Sequence, residues 1–94
     1  MGASYAQADT TITIKINEKA TYTVTLLRGG KNIGSNTGKG SQRVLIRANS
    51  ADKFCVKFTG GYAMKTPDGR ILVQSCRPMS GPVHTWGHNN IVKQ

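Results

Sequence analysis

The chain has 94 residues, of which 13 are lysine or arginine and four are aspartate or glutamate, giving a formal net charge of +9. A chain of this length forms one domain with a small core, which is marginally stable on hydrophobic burial alone. So few acids argue against a hydrolase that works through paired carboxylates, and no apolar run is long enough to span a membrane. The charge predicts attraction to anionic surfaces.

The first residues suggest export. The segment Ala6–Ala8 fits the small-x-small pattern that precedes signal-peptidase cleavage, although neither a charged nor an apolar stretch comes before it. We expect residues 1–9 to be a flexible tail, which is either an ordinary disordered terminus or a remnant of a signal peptide or an expression vector. Residues 10–94 are then a single all-β domain, and the predicted location is secreted or periplasmic.

Two segments near the start alternate between apolar and polar residues, which is the pattern of a strand with one buried face. They are Thr10–Ile16 and Ala20–Leu27, and a polar turn, Asn17–Lys19, joins them. The sequence therefore predicts a β-hairpin whose outer face is lined by threonines. Such a face is solvated, or it accepts a sugar or a partner strand.

Residues 28–42 contain five glycines and three basic residues, and we expect a long basic loop here. The segment Gly38–Ser41 resembles part of a phosphate-binding P-loop. However, Ile33 stands where that motif needs a glycine, and the segment that follows has the pattern of a strand rather than a helix. We therefore expect Lys31 and Lys39 to contact phosphate or sulfate without a nucleotide site.

The next two segments, Arg43–Ala48 and Lys53–Phe58, are predicted strands with only a short loop between them. If they are neighbours in one sheet, their outward cations share a face. The predicted anion-binding residues are Arg43, Arg47, Lys53 and Lys57, extended by Lys31 and Lys39.

The stretch that begins at Lys53 contains both cysteines and a clear turn signal. Pro67, Asp68 and Gly69 suit successive positions of a tight turn, and Ile71–Cys76 is then a returning strand. We expect a largely buried Cys55–Cys76 disulfide between strands that need not be neighbours. Closing this loop stabilises the fold by roughly 3 kcal/mol.

The C-terminal part contains both histidines, His84 and His88, which flank Trp86. Their spacing suits zinc on a helix, but Gly87 and the preceding prolines disfavour a helix, so we expect no metal and no cofactor. Two imidazoles near cations also suit general acid–base cleavage of RNA. The simpler interpretation is that Trp86 anchors this segment to the core.

These patterns predict an all-β fold, a small antiparallel β-sandwich or partly open β-barrel of six or seven short strands with one disulfide. The predicted core is Ile12, Ile14, Ile16, Tyr22, Val24, Leu26, Val44, Ile46, Phe54, Val56, Phe58, Ile71 and Val73, with Trp86 at one end.

For function, the sequence favours a secreted, non-enzymatic, basic binding protein of the effector or toxin type. Its expected target is anionic: nucleic acid, acidic polysaccharide, an anionic membrane or an acidic protein surface. One alternative is a small ribonuclease that uses His84 and His88. Another is an inhibitor that presents the rigid segment Arg77–Pro82 to a partner enzyme.

Overall fold

The computed structural model describes residues 9–79 and 84–94, and within these ranges it contains ten β-strands and no helix. These ranges therefore contain no helix that is long and apolar enough to cross a membrane. The strands are β1 (Thr10–Ile16), β2 (Thr21–Arg28), β3 (Lys31–Lys39), β4 (Gln42–Ile46), β5 (Lys53–Phe58), β6 (Tyr62–Lys65), β7 (Ile71–Leu72), β8 (Gln74–Pro78), β9 (His84–His88) and β10 (Ile91–Lys93).

The strands form three sheets around one core, in the orders β3-β2-β5-β8, β4-β1-β9 and β10-β6-β7. The apolar positions of the alternating segments point inward, as predicted. Phe58 lies at the centre of an aromatic group, with its ring centroid 5.9 Å from that of Tyr22 and 5.7 Å from that of Trp86. The all-β fold and the single disulfide are therefore confirmed. The structure has ten strands instead of the six or seven predicted, because residues 28–42 are mostly strand and the predicted returning strand is divided into two.

The predicted hairpin of the first two strands is wrong. β1 pairs antiparallel with β4 and parallel with β9, whereas β2 pairs with β3 and β5 in another sheet. Alternation shows which face of a strand is buried but does not name its partner. The connection between β1 and β2 is fixed to β10, because the Asn17 carboxamide oxygen accepts a hydrogen bond from the Ile91 amide at 2.9 Å.

Residues 28–42 are mostly strand rather than the predicted loop. Gly29 and Gly30 have φ angles of +57° and +81°, which matches a two-residue type I′ turn between β2 and β3. Within β3, Gly34 and Gly38 let other side chains pack closely over the backbone. A β carbon on Gly38 would lie 2.7 Å from the Tyr22 ring, so glycine here serves packing.

The predicted returning strand, Ile71–Cys76, is divided between two sheets. The turn itself is as predicted, since Gly69 has a φ of +88° and the Thr66 amide donates to the Arg70 carbonyl. After that turn, β7 pairs with β6 and β8 pairs with β5. Ile71 and Val73 are 41% and 47% exposed, so placing them in the core was wrong. They lie where the chain leaves one sheet for the next, and Ile16, at the end of β1, is half-buried.

The predicted disulfide is present, and it joins two neighbouring strands. Cys55 and Cys76 are directly opposite each other in the β5–β8 ladder, with their Cα atoms 4.0 Å apart. Cys55 is buried, but Cys76 is exposed because β8 is the outer strand of its sheet. The expectation that both would be buried therefore holds for Cys55 only.

Candidate anion-binding face

One face of the four-stranded sheet points away from the core and carries lysines among hydroxyl groups. Lys57 is paired with Thr23 on one side and Gln74 on the other, and Thr23 is paired with Thr37. Paired residues project to the same side of a sheet. We call this surface the lysine face; its members are Thr21, Thr23, Thr25, Leu27, Ser35, Thr37, Lys39, Lys53, Cys55, Lys57, Gln74, Cys76 and Pro78.

The lysine face contains no carboxylate. Its three lysines, Lys39, Lys53 and Lys57, are exposed. The acid nearest to them in the chain is Asp52, whose Oδ2 accepts a hydrogen bond from the Gly29 amide at 2.8 Å. Asp52 therefore stabilises the β2–β3 turn, and no salt bridge from it to the face is found in the described part of the chain.

Outside the lysine face, only one cation forms a salt bridge in the described part of the chain. Among residues 9–79 and 84–94 the structure contains one ion pair, in which the Arg70 Nε lies 2.9 Å from Asp68 Oδ2. A hydrogen bond from the Thr66 hydroxyl, together with bonds from Arg70, lowers the pKa of Asp68. Every other lysine and arginine is exposed and without a carboxylate partner in these ranges.

The predicted cationic residues do not form one stripe. Arg43 pairs with Thr13 in the β4-β1-β9 sheet, and Arg47 follows the end of β4. Because β4 and β5 belong to different sheets, the expected pairing of Arg43 and Arg47 with the lysines of β5 is wrong. Of the predicted residues, the face thus contains Lys53, Lys57 and Lys39, and it lacks Arg43 and Arg47.

Lys31 lies near one end of the lysine face but is not a member of it. It pairs with Arg28 across the turn, whereas Leu27, the residue before Arg28, is opposite Lys53. Because successive residues of a strand point to opposite sides, Arg28 and Lys31 project to the side opposite Leu27 and Lys53. Of the two residues expected to extend the cationic face, the strand register thus places Lys39 on it and Lys31 off it.

The two histidines lie on the same side of β9 with Trp86 between them. A strand rises about 3.3 Å per residue, so their backbones are roughly 13 Å apart. His88 stacks on Trp86 with ring centroids 6.2 Å apart, and its Nδ1 accepts from the Asn90 amide at 3.1 Å. The geometry does not bring two imidazoles to one phosphate.

An open cleft lies at the end of the molecule, between the β1–β2 connection and β6. Its volume is about 450 Å³, and Glu18, Lys19, Ser41 and Tyr62 are among the residues that line it. The Ser41 hydroxyl is already engaged with the backbone of Ile16. No group of three potential metal ligands occurs in the ranges that the structure describes.

Two further predictions concern residues outside the described ranges. The expected N-terminal tail is residues 1–9, of which the structure describes Asp9 alone, and the proposed inhibitory segment includes Ser80–Pro82, which lie outside the described ranges. The described part of that segment is Arg77 and Pro78, which end β8, and Met79.

The lysine face itself was only partly visible in the sequence. The threonines of β2 were predicted to line a polar surface, but β3 was not recognised as its neighbour. The signal that could have revealed β3 is the pair Gly29-Gly30, because two glycines between β-forming segments are typical of a tight hairpin. Comparison with protein families, curated proteins and solved structures finds nothing that matches this chain.

Proposed function

We propose that this protein is a secreted, non-enzymatic binding protein that attaches to an anionic macromolecule through the lysine face. The observation that carries the proposal is the composition of that face: three exposed lysines and five hydroxyl side chains with no carboxylate among them. Ammonium groups attract phosphate, sulfate or carboxylate, and hydroxyls donate hydrogen bonds to the same groups.

The same face argues against recognition of bases. Proteins that bind single-stranded nucleic acid stack bases on exposed aromatic side chains, but the lysine face has none. Trp86 and Tyr22, which could stack on bases, are buried. The expected interaction is therefore with negative charge and polar groups rather than with base identity.

The Cys55–Cys76 disulfide supports action outside the cytoplasm, because disulfides persist in oxidising compartments such as the periplasm or the extracellular space. Secretion is consistent with a small domain that adds a covalent link to a limited hydrophobic core. A secreted location would bring the lysine face into contact with acidic polysaccharides and with acidic proteins.

The proposal is tested by reversing charge on the face and elsewhere. We expect Lys53→Glu with Lys57→Glu to weaken binding to heparin at least roughly tenfold, because two attractive contacts become repulsive. The matched control is Lys15→Glu with Lys65→Glu, which gives the same net charge at exposed positions of the other two sheets. Binding is measured by fluorescence anisotropy at several salt concentrations.

The control pair should retain most of the affinity, and wild-type binding should weaken as salt rises. Equal losses from both pairs would show that only net charge matters and that the face is not a site. A wild type that binds neither heparin nor polyglutamate at low salt would contradict the proposal altogether.

A further inference from the structure

The two outer strands of the four-stranded sheet, β3 and β8, differ in how their free backbone groups are satisfied. The N–H groups of Thr37 and Lys39 face away from β2, and side chains of the same chain accept from them. Asn36 Oδ1 lies 2.8 Å from the Thr37 nitrogen, and Gln42 Oε1 lies 2.9 Å from the Lys39 nitrogen. Asn36 also donates to the Leu45 carbonyl, which links this edge to β4. At Thr37 and Lys39 the β3 edge is therefore closed to another strand.

The β8 edge has no such cover in the described part of the chain. The Phe58 amide donates to the Val73 carbonyl at 2.7 Å, which shows that Val73 faces β5. In an antiparallel ladder, residues bonded to the neighbour alternate with residues whose N–H and C=O point away. The backbone groups of Gln74 and Cys76 therefore point outward.

Two further observations agree with this assignment. The Cα atoms of Cys55 and Cys76 are 4.0 Å apart, as expected for a pair without mutual hydrogen bonds, since those pairs are the closer ones. Pro78, the next outward residue, has no N–H, and a proline is tolerated in a strand where no neighbour needs its hydrogen. Within residues 9–79 and 84–94, neither outward amide has a hydrogen-bond partner.

We propose that the β8 edge binds an extended acidic segment of a partner protein, which adds to the four-stranded sheet as a fifth strand. This inference rests on the proposed function, and it specifies an acidic polypeptide as the anionic partner. Strand addition of this kind obtains affinity from backbone hydrogen bonds and specificity from alternate side chains.

The charges around the edge favour an acidic occupant. Lys53 and Lys57 lie one strand inward on the lysine face, and they bracket the small Cys76 side chain. An added strand would lie about 9.6 Å from β5, a distance that an extended lysine and a glutamate can bridge together. Arg77 is also exposed, but it pairs with Phe54 and projects to the other side of the edge strand.

Exposed apolar residues immediately precede β8 in the chain, which favours a partner that has apolar side chains as well. Ile71, Leu72 and Val73 are 41%, 39% and 47% exposed and are consecutive in the chain. A strand in which acidic and apolar residues alternate would match both features. A second copy of this chain fits less well, since two molecules of charge +9 repel each other.

The probe is a short capped peptide of alternating glutamate and valine. We expect it to bind the native, oxidised protein, whereas the same peptide with lysine in place of glutamate should not. Two further peptides keep every side chain but carry methyl groups on alternate backbone nitrogens, which removes those hydrogen-bond donors. One peptide is methylated at the glutamates and the other at the valines. One of them should bind roughly tenfold more weakly than the parent peptide, because its methyl groups face β8.

Amide hydrogen exchange gives a direct measure of pairing. The amides of Gln74 and Cys76 should become protected when the parent peptide binds, and those of Thr37 and Lys39 should not change. Gln74→Pro removes one outward donor and should weaken peptide binding much more than Gln74→Ala, which removes the same side chain but keeps the donor.

Three results would overturn the inference. If both N-methylated peptides bind as well as the parent, the partner is not a fifth strand. If the lysine peptide binds equally, the partner is not acidic. If the amides of Gln74 and Cys76 are already protected in the protein alone, the edge is occupied, and protection that rises with protein concentration would identify a second copy. Heparin binding that persists in each case would leave the proposed function intact.

Discussion

The ring of Tyr22 lies over Gly38 of the neighbouring strand, and its hydroxyl donates a hydrogen bond of 2.6 Å to the carbonyl of Gly40. This one contact fixes the register of β2 and β3 from the core side. It also requires that residue 38 have no side chain, since a β carbon there would lie 2.7 Å from the ring.

Gly38→Ala should therefore lower the free energy of unfolding by roughly 1–3 kcal/mol, the usual cost of overpacking a core. The Tyr22 ring cannot easily move away, because it is fully buried and hydrogen-bonded. The control is Ser35→Ala, at an exposed position of the same strand, which should change stability little. Urea denaturation measures both, and equal effects would contradict the packing argument.

Tyr22 also predicts a loss of stability in alkali. Burial raises its pKa from 10.0 to about 12, so between these values the folded state binds the phenolic proton more tightly than the unfolded state does. The free energy of unfolding should then fall as pH rises from 10 towards 12, by at most about 1.4 kcal/mol per pH unit. Below pH 10 this contribution is fully present.

Tyr22→Phe tests that assignment. At neutral pH the variant should be less stable by roughly 1–2 kcal/mol, because the Gly40 carbonyl loses its buried donor. Its alkaline loss should be shallower than that of the wild type. Tyr62→Phe, in the β10-β6-β7 sheet, is the control and should keep the wild-type slope. A wild-type slope in Tyr22→Phe would assign the alkaline transition to another group.

The disulfide should contribute measurably to the free energy of unfolding. Cys55 and Cys76 are 21 residues apart in the chain, and linking them stabilises the fold by roughly 3 kcal/mol in the chain-entropy model. The double variant Cys55→Ala, Cys76→Ala should lose about that much in urea denaturation. Because Cys76 is exposed, a mild reductant should reach the bond in the folded protein. Two reactive thiols in unreduced native protein would refute the link.

Trp86 is expected to be the most costly single truncation of the C-terminal segment. It is fully buried, contacts Phe58 and donates from Nε1 to the Ser75 hydroxyl at 3.3 Å. Trp86→Ala should destabilise the fold by roughly 3–5 kcal/mol. By contrast, His84→Ala and His88→Ala should each cost less than about 1 kcal/mol, since both imidazoles are only half-buried.

The same histidine variants test the ribonuclease alternative. We expect no cleavage of total RNA by the wild type, because the two imidazoles lie on either side of Trp86 and do not converge. Cleavage that disappears in either histidine variant would make the protein an enzyme instead of a binding protein.

The sequence predicted which faces of the strands are buried more reliably than which strands are neighbours. Alternation in β1, β2, β4 and β5 depends on local geometry, so the inward positions of Ile12, Val24, Val44 and Val56 were correct. Pairing depends on contacts between distant segments, and alternation alone does not distinguish β3 from β1 as the partner of β2. The glycines of β3 were misleading because Gly34 and Gly38 serve packing, whereas Gly29 and Gly30 form the turn.

The candidate site was limited in the same way. Lys53 and Lys57 were placed correctly on one face of a strand, but their neighbours were not, because Arg43 and Arg47 belong to another sheet. The open edge of β8 could not be seen in the sequence at all. It follows from hydrogen bonds that show which way each amide points.

The parallel pairing of β1 with β9 has a consequence for how the chain acquires its fold. Ile14 near the start meets Trp86 near the end, and the bond from Ile91 to Asn17 spans 74 residues. Contacts of such high sequence separation cost loop-closure entropy early and slow folding. During synthesis, β1 lacks its neighbour on that side until residues 84–88 have left the ribosome. An export route that keeps the chain unfolded until it is fully translated would suit this order of assembly.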